Sequence, residues 1–199
     1  MDSADHLSRS IDLAVAAIKG ASLARYDDPS PCSDYSAREV VNHLAFGFLL
    51  AHRSATRQAW DSSWTAADRT PYLQGRPESE WAQACAEEAA AAAQAWAAPA
   101  AWEGESHMGG SPMPAAMIGS IMTSEFVVHA WDLAVATGQP FHVPSGLDQV
   151  VLEGVESMAP MGREGGWFGA EVTVAADAPV FERALAASGR DPHWAPAGR

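Results

Sequence analysis

The sequence predicts an all-α protein in the main, built as a four-helix bundle with a small mixed segment at its C-terminal end. Apolar residues recur at helical spacing in four long segments, and Gly and Pro punctuate the connections between them. Four principal helices joined by one short and two longer connections are typical of a bundle. We therefore divide the chain into a bundle over residues 1–140 and a helix and strand extension over residues 141–199, packed on the bundle.

The first two helices have local start or stop signals. The first is predicted over about residues 5–19, ends at Gly20, and carries an apolar stripe of Leu7, Ile11, Ala14, Val15 and Ile18. The second begins with Ser36 and Glu39, which fit the S-x-x-E capping box, and continues to about Trp60. Residues 61–80 are predicted to form a long loop, and loops of that length are often functional.

The third and fourth helices are separated by a segment rich in Gly and Pro. Alanine-rich residues over about 78–98 have high helix propensity, and Pro99 marks their end. Residues 102–114, "WEGESHMGGSPMP", are predicted to be irregular. Pro114 suits the first turn of the fourth helix, which continues to about Thr137 and stops at Gly138.

The extension is predicted to mix helix and strand. Ser145 and Asp148 indicate the start of a short helix that ends near Met158. Residues 171–176, "EVTVAA", alternate as a short strand would, and residues 180–189 form a last short helix.

Composition and charge exclude several classes of function. The chain has 199 residues and a formal net charge of −13, which disfavours binding to nucleic acid or to anionic lipid. No window approaches the roughly 18–20 apolar residues of a membrane span, and the start "MDSADHLSRS" is unlike a signal peptide. We expect a cytoplasmic protein whose two cysteines, Cys32 and Cys85, form neither a disulfide nor a zinc-ribbon motif.

Two polar residues interrupt the apolar side of the fourth helix. Glu125 and His129 lie four residues apart, so that both side chains project from one face beside the buried stripe. An unpaired buried carboxylate costs on the order of several kcal/mol, whereas a carboxylate and an imidazole can jointly chelate a cation. His43, beside Leu44 on the second helix, is the candidate third ligand. Spacing alone leaves open a structural histidine and a local Glu–His contact.

Residues around these three have candidate supporting roles. Asp132 follows His129 by three positions and is a candidate to orient its ring, the alternative being a surface acid near the helix end. We expect Trp131 to pack and Cys32 to be structural, because no base lies near it in sequence. Arg38 and Arg53 are candidates to recognise an anionic substrate and His107 to line a pocket mouth, with a solvated position as the expected alternative for each. His52 follows His43 by nine residues but has no obvious partner, and no site role is expected for His6, His142 and His193.

Two stretches together resemble a known family. Residues 30–44, "SPCSDYSAREVVNHL", resemble the pattern T-P-C-x-x-W-x-x-x-x-L-x-x-H of the mycothiol-dependent maleylpyruvate isomerase N-terminal family, within the DinB-like superfamily. Residues 125–140, "EFVVHAWDLAVATGQP", are similar to its E-x-x-x-H-x-W-D-L-A-x-A-T-G-Q, and "GRDPHW" looks like the ending of a short-chain branch of metal-binding proteins. Tyr35 and Ser30 stand where the family has Trp and Thr.

The resemblance implies a DinB-like four-helix bundle that holds a divalent ion, usually zinc, with Ni²⁺ or Fe²⁺ as alternatives. The family's ligands map onto His43, Glu125 and His129. The resemblance also implies mycothiol as a thiol co-substrate and a small-molecule electrophile as its partner. Because the chain is shorter than the isomerase itself, the resemblance leaves the substrate open.

Three functions fit this reading. The first is a thiol-dependent transferase or isomerase, in which the ion lowers the pKa of a thiol that attacks the electrophile. The second is a non-catalytic protein that binds or sequesters a small molecule. The third is a metal-dependent hydrolase that uses bound hydroxide. We also expect the bundle to pair as a homodimer.

Overall fold

A computed structural model describes residues 2–59, 72–108 and 112–196. The fold is mainly α-helical, with six α-helices and one two-stranded sheet within those ranges. The helices are α1 (Ser3–Gly20), α2 (Ala37–Ala55), α3 (Trp81–Trp96), α4 (Ala115–Thr137), α5 (Leu147–Glu164) and α6 (Val180–Ala187). Across the described ranges, no helix is long and apolar enough to cross a membrane.

The first four helices form the predicted bundle. Both α1 and α2 pack against α3 and α4, so that the four helices close around one apolar core. Helices α2 and α4 run in opposite directions, because His43 meets His129 while Phe48 meets Phe126. The packing of these two helices brings residues distant in sequence to one place in the core.

Helix α4 is buried on nearly all sides, which the single predicted stripe did not anticipate. One side faces the bundle core, and a second apolar cluster forms where α4 meets α5 and α6. Val128 and Trp131 belong to this second cluster, so Trp131 packs as expected. The contact with α5 is close, because a Cβ atom at Gly154 would lie 2.2 Å from Ser124 Oγ.

Local signals placed most helix ends correctly. The Ser36–Glu39 capping box is present, with the Ser36 N–H and hydroxyl both donating to Glu39 Oε2 at 2.7 Å. Gly138 ends α4 with a φ of 77°, a conformation that favours glycine. Helix α2 ends at Ala55, before the predicted Trp60, which lies outside the described residues together with most of the predicted 61–80 loop.

The structure corrects three other predictions. The segment expected to be irregular contains an antiparallel hairpin, β1 (Glu105–His107) paired with β2 (Pro112–Pro114). Residues 171–176 form no regular strand, and their backbone meets α6 through one hydrogen bond, from Val172 N–H to Ala186 O. Helix α5 starts after Gly146 rather than from a Ser145 cap, and it continues past Pro160 to Glu164.

Candidate metal centre

His43 reaches the site from the first turns of α2. The capping box fixes the start of this helix, and Val40 and Leu44 are fully buried on either side of His43. These apolar neighbours anchor the helix face in the core, so the imidazole points between α2 and α4. Its Nε2 lies 2.6 Å from Glu125 Oε1, although 82 residues separate the two in sequence.

Glu125 and His129 lie one turn apart on α4, as their spacing predicts. His129 Nε2 lies 3.2 Å from Glu125 Oε1, the same oxygen that His43 contacts. The side-chain exposure falls from 29% at Glu125 through 15% at His43 to 8% at His129. The cluster is therefore buried at the His129 side and partly exposed at the Glu125 side.

The electrostatics of the cluster favour an ionised carboxylate. Burial by itself raises the pKa of Glu125, but the charge of His129 and hydrogen bonds from His129 and His43 outweigh it and hold this pKa well below its usual range. A carboxylate that faces two imidazole nitrogens is a donor set suited to a divalent cation.

Asp132 is fully buried and contacts His129 from the side opposite Glu125. Its Oδ2 lies 2.9 Å from His129 Nδ1, a short contact in which the N–H direction departs from the line to the oxygen. Arg190 donates to both oxygens of Asp132, from Nε to Oδ1 at 3.4 Å and from Nη2 to Oδ2 at 3.1 Å. The alternative of a surface acid at this position is therefore wrong.

Aromatic contact surrounds the two imidazoles. The rings of His43 and His129 meet edge to face with centroids 4.5 Å apart. Tyr35 lies against both, with its ring centroid 5.1 Å from that of His43 and 6.3 Å from that of His129. Tyr35, which stands where the family has Trp, is thus in contact with two of the candidate ligands.

Two groups of side chains, among the residues that the structure describes, bring metal-ligating atoms within 4.8 Å of one another. The first is His43, Glu125 and His129, and the second is Cys32, His129 and Asp132. The second is the weaker candidate, because Asp132 is paired with Arg190 and burial raises the pKa of the Cys32 thiol to about 12. The first group fits a cation, since its two Nε2 atoms converge on one oxygen of a partly exposed carboxylate.

The remaining candidates lie outside the first group. His52 lies nine residues, or about two and a half turns, beyond His43 and so on the other side of α2. His107 lies in β1, where its carbonyl accepts a hydrogen bond from Ser54 Oγ. Arg38 pairs with Asp27 at 2.7 Å and with Glu78, and Arg53 lines a shallow cleft between α2 and α3. The structure therefore brings the three predicted ligands and Asp132 together and leaves these others apart.

Arg190 is the site residue that the sequence analysis missed. It is 6% exposed and reaches Asp132 from the turn that follows α6, 58 residues further along the chain. Residues 189–194, "GRDPHW", contribute to the family resemblance, but nothing in their spacing indicates that Arg190 pairs with an acid on α4. Asp132 itself did carry a signal. An acid near the C-terminal end of a helix opposes the helix dipole, so a cation is expected beside it.

Comparisons with known proteins give one matching family and two similar solved structures. Residues 4–134 match the family described as "Mycothiol maleylpyruvate isomerase N-terminal domain". A crystal structure of the mycothiol-dependent maleylpyruvate isomerase matches with a TM-score of 0.62 and 15% identity, and one of its histidine-to-alanine variants with 0.63 and 14%. Each alignment covers 98% of this chain and 81% of the other. No curated protein matches the chain.

The structural likeness, at these identities, shows a shared fold. The family match adds more, because it spans well over half of the chain and includes the two helices that carry His43, Glu125 and His129. The chain therefore belongs to the mycothiol maleylpyruvate isomerase N-terminal domain family.

Proposed function

We propose that the protein is a metal-dependent enzyme of the mycothiol-dependent transferase or isomerase type, with His43, Glu125 and His129 as the ligands of one divalent ion. The observation that carries the proposal is the convergence of His43 Nε2 and His129 Nε2 on Glu125 Oε1, an oxygen of a partly exposed side chain. Three protein ligands with an exchangeable position are typical of catalytic zinc, and zinc is the ion we propose.

The proposed chemistry is thiol activation. A bound zinc ion would supply the Lewis acidity that lowers the pKa of a small thiol, about 8.5 when free, so that the thiolate is present at neutral pH. The ligand residues hold their donor atoms in place before binding, because buried neighbours in α2 and α4 fix both helices. Family membership supports mycothiol as this thiol, since the family and both matching structures carry that thiol in their names.

A thiol and an electrophile would approach the cluster from its partly exposed side, at Glu125. Glu125 is the most exposed of the three proposed ligands, and Tyr35 lies against the two histidine rings. Tyr35 therefore forms part of the wall that a small molecule would meet. We propose that this wall, with its Tyr in place of Trp, contributes to the choice of electrophile.

Turnover with and without a thiol tests the proposal. Zinc-loaded protein is mixed with mycothiol and 1-chloro-2,4-dinitrobenzene, and release of chloride with formation of the thioether is followed by absorbance; maleylpyruvate tests the isomerase form. We expect thiol-dependent turnover of one of the two that is lost in His129→Ala. Binding of either compound without turnover would favour a sequestering protein, and thiol-independent cleavage of an ester substrate would favour a hydrolase; both outcomes contradict the proposal.

A matched control uses a histidine outside the cluster. His52 lies on the same helix as His43 but belongs to neither group of close donor atoms. The His52→Ala variant should keep the turnover of the unmodified protein, whereas His43→Ala should lose it. Equal activity in both variants would contradict the proposed role of His43.

A further inference from the structure

A buried ion pair links the C-terminal segment, the residues 165–196 that follow α5, to the candidate centre. Asp132 is 0% exposed and Arg190 is 6% exposed, and the guanidinium contacts both carboxylate oxygens. Buried charges of this kind need a specific partner, because each lost its hydration on folding. The same Asp132 oxygen that accepts from Arg190 Nη2 lies 2.9 Å from His129 Nδ1.

The arrangement has a consequence for His129. To bind a cation through Nε2, the His129 ring would have to carry its proton on Nδ1, the nitrogen that lies beside the Asp132 carboxylate. Nε2 is the atom that faces Glu125 at 3.2 Å. Arg190 donates to both oxygens of this carboxylate, so the position of its guanidinium helps to set the position of the oxygen beside His129 Nδ1.

We propose that Arg190 is a positioning residue that acts through Asp132 on His129 and thereby raises the affinity of the centre for zinc. This inference rests on the proposed function for the identity of the ligands. It adds that the centre is completed by a residue outside the 4–134 range that the family match covers. The part of the chain beyond the bundle is then a component of the centre.

The C-terminal segment is built to present Arg190 rigidly. Helix α6 ends at Ala187, and the Arg190 N–H donates to Leu185 O at 2.9 Å in the turn that follows. Arg190 Nη1 also donates to Ser188 O at 3.2 Å. Gly189, at a φ of 85°, leaves no room for a Cβ, which would lie 2.7 Å from Gly169 Cα. The turn therefore constrains the backbone at Arg190, and hydrogen bonds to Asp132 and Ser188 O orient its guanidinium.

A merely structural role for the pair makes a different prediction. If the Asp132–Arg190 pair only joined α4 to the C-terminal segment, its loss would lower the free energy of unfolding. The zinc affinity of the folded protein would stay unchanged. A matched control is Arg163 on α5, which donates to Ala187 O at 2.9 Å and contacts Glu171 at 3.7 Å. Arg163 therefore contacts the same C-terminal segment but forms no ion pair with Asp132.

Zinc affinity of the full-length variants tests the proposal. The dissociation constant is measured by competition with a chromophoric chelator for the unmodified protein, Arg190→Met, Arg190→Lys and Arg163→Met, after far-UV circular dichroism confirms folding. We expect Arg190→Met to weaken zinc binding by about 10- to 100-fold, the effect typical of partners that orient a metal ligand. Arg163→Met should stay within about twofold, and Arg190→Lys should fall between, since Lys keeps the charge without the two-pronged contact.

A double-variant cycle shows whether Arg190 acts through Asp132. If it does, Arg190→Met adds little to the loss of affinity already caused by Asp132→Asn, whereas independent effects would multiply. Should Arg190→Met fail to fold, Arg190→Lys and Asp132→Asn carry the test. An unchanged zinc affinity in a folded Arg190 variant, or an equal loss in Arg163→Met, overturns the positioning role alone. Absence of zinc binding by the unmodified protein overturns the proposed function as well.

Discussion

His43 Nε2 and Glu125 Oε1 lie 2.6 Å apart, in contact across two helices and 82 residues of sequence. The contact exists because α2 and α4 pack side by side, and not because of any local feature of the chain. A substitution that alters the packing of these helices should therefore change the zinc affinity of the candidate centre, even where it contacts none of the proposed ligands.

Phe126 tests this dependence on packing. Its ring lies 4.8 Å from that of Phe48 between α2 and α4, and it is fully buried. We expect Phe126→Ala to lower the free energy of unfolding by about 3–5 kcal/mol, as large-to-small core substitutions do, and to weaken zinc binding. Urea denaturation and chelator competition measure the two effects. Phe126→Leu should lose less than half as much, and a loss below about 1 kcal/mol in Phe126→Ala would contradict the packing account.

Gly119 tests the close approach of α4 to the segment that follows α3. A Cβ atom there would lie 2.3 Å from the Trp102 ring, which also donates from Nε1 to Trp96 O at 2.8 Å. Alanine normally favours a helix over glycine, but here it has no space without moving that ring. We expect Gly119→Ala to destabilise the protein by about 1–3 kcal/mol in thermal or urea unfolding. The neighbouring exposed Ser120→Ala serves as control, and equal stability of the two variants would refute the clash.

The capping box at the start of α2 contributes modestly to stability. Ser36 and Glu39 are exposed or partly exposed, and their contacts satisfy helix-end donors rather than hold the centre. We expect Ser36→Ala to cost about 1 kcal/mol in urea unfolding while leaving zinc affinity within twofold. The exposed Ser33→Ala provides the comparison. A large loss of zinc affinity in Ser36→Ala would show that the start of α2 does more than begin the helix.

Cys85 makes the free energy of unfolding depend on pH in the alkaline range. Burial raises the pKa of this thiol to about 12, whereas an unfolded chain ionises it near 8.5. Above that lower value the unfolded state releases a proton that the folded state retains, so stability falls as pH rises toward 12. Relative to Cys85→Ala, the unmodified protein should lose roughly 1.4 kcal/mol per pH unit between about pH 9 and 11. Parallel pH profiles for the two proteins would contradict the assigned burial effect.

Most of the fold could be predicted because its signals are local. The capping box, the left-handed glycine after α4 and the apolar stripe of α1 each depend on residues within a few positions of one another. The proximity of His43 to Glu125 and His129 could also be predicted, because helical faces define which polar residues point inward. Whether these three bind a metal stays a prediction, as does the division of the chain at residue 140.

The rest depends on tertiary contacts that have no local signature. Helix α4 is apolar on two sides because α5 and α6 cover the face that the bundle leaves free, so a single stripe described it incompletely. Arg190 finds Asp132 only when the C-terminal segment has docked. The hairpin at β1 and β2 forms in a Gly- and Pro-rich stretch, where composition favours an irregular loop over a strand.

Metal content is the most direct test of the central claim. Elemental analysis of purified full-length protein by mass spectrometry should find about one divalent ion per chain, as a three-ligand site requires. The ion should be lost in His43→Ala and in His129→Ala and retained in His52→Ala. Full metal content in either of the first two variants, or no bound ion after zinc loading of the unmodified protein, would contradict the account.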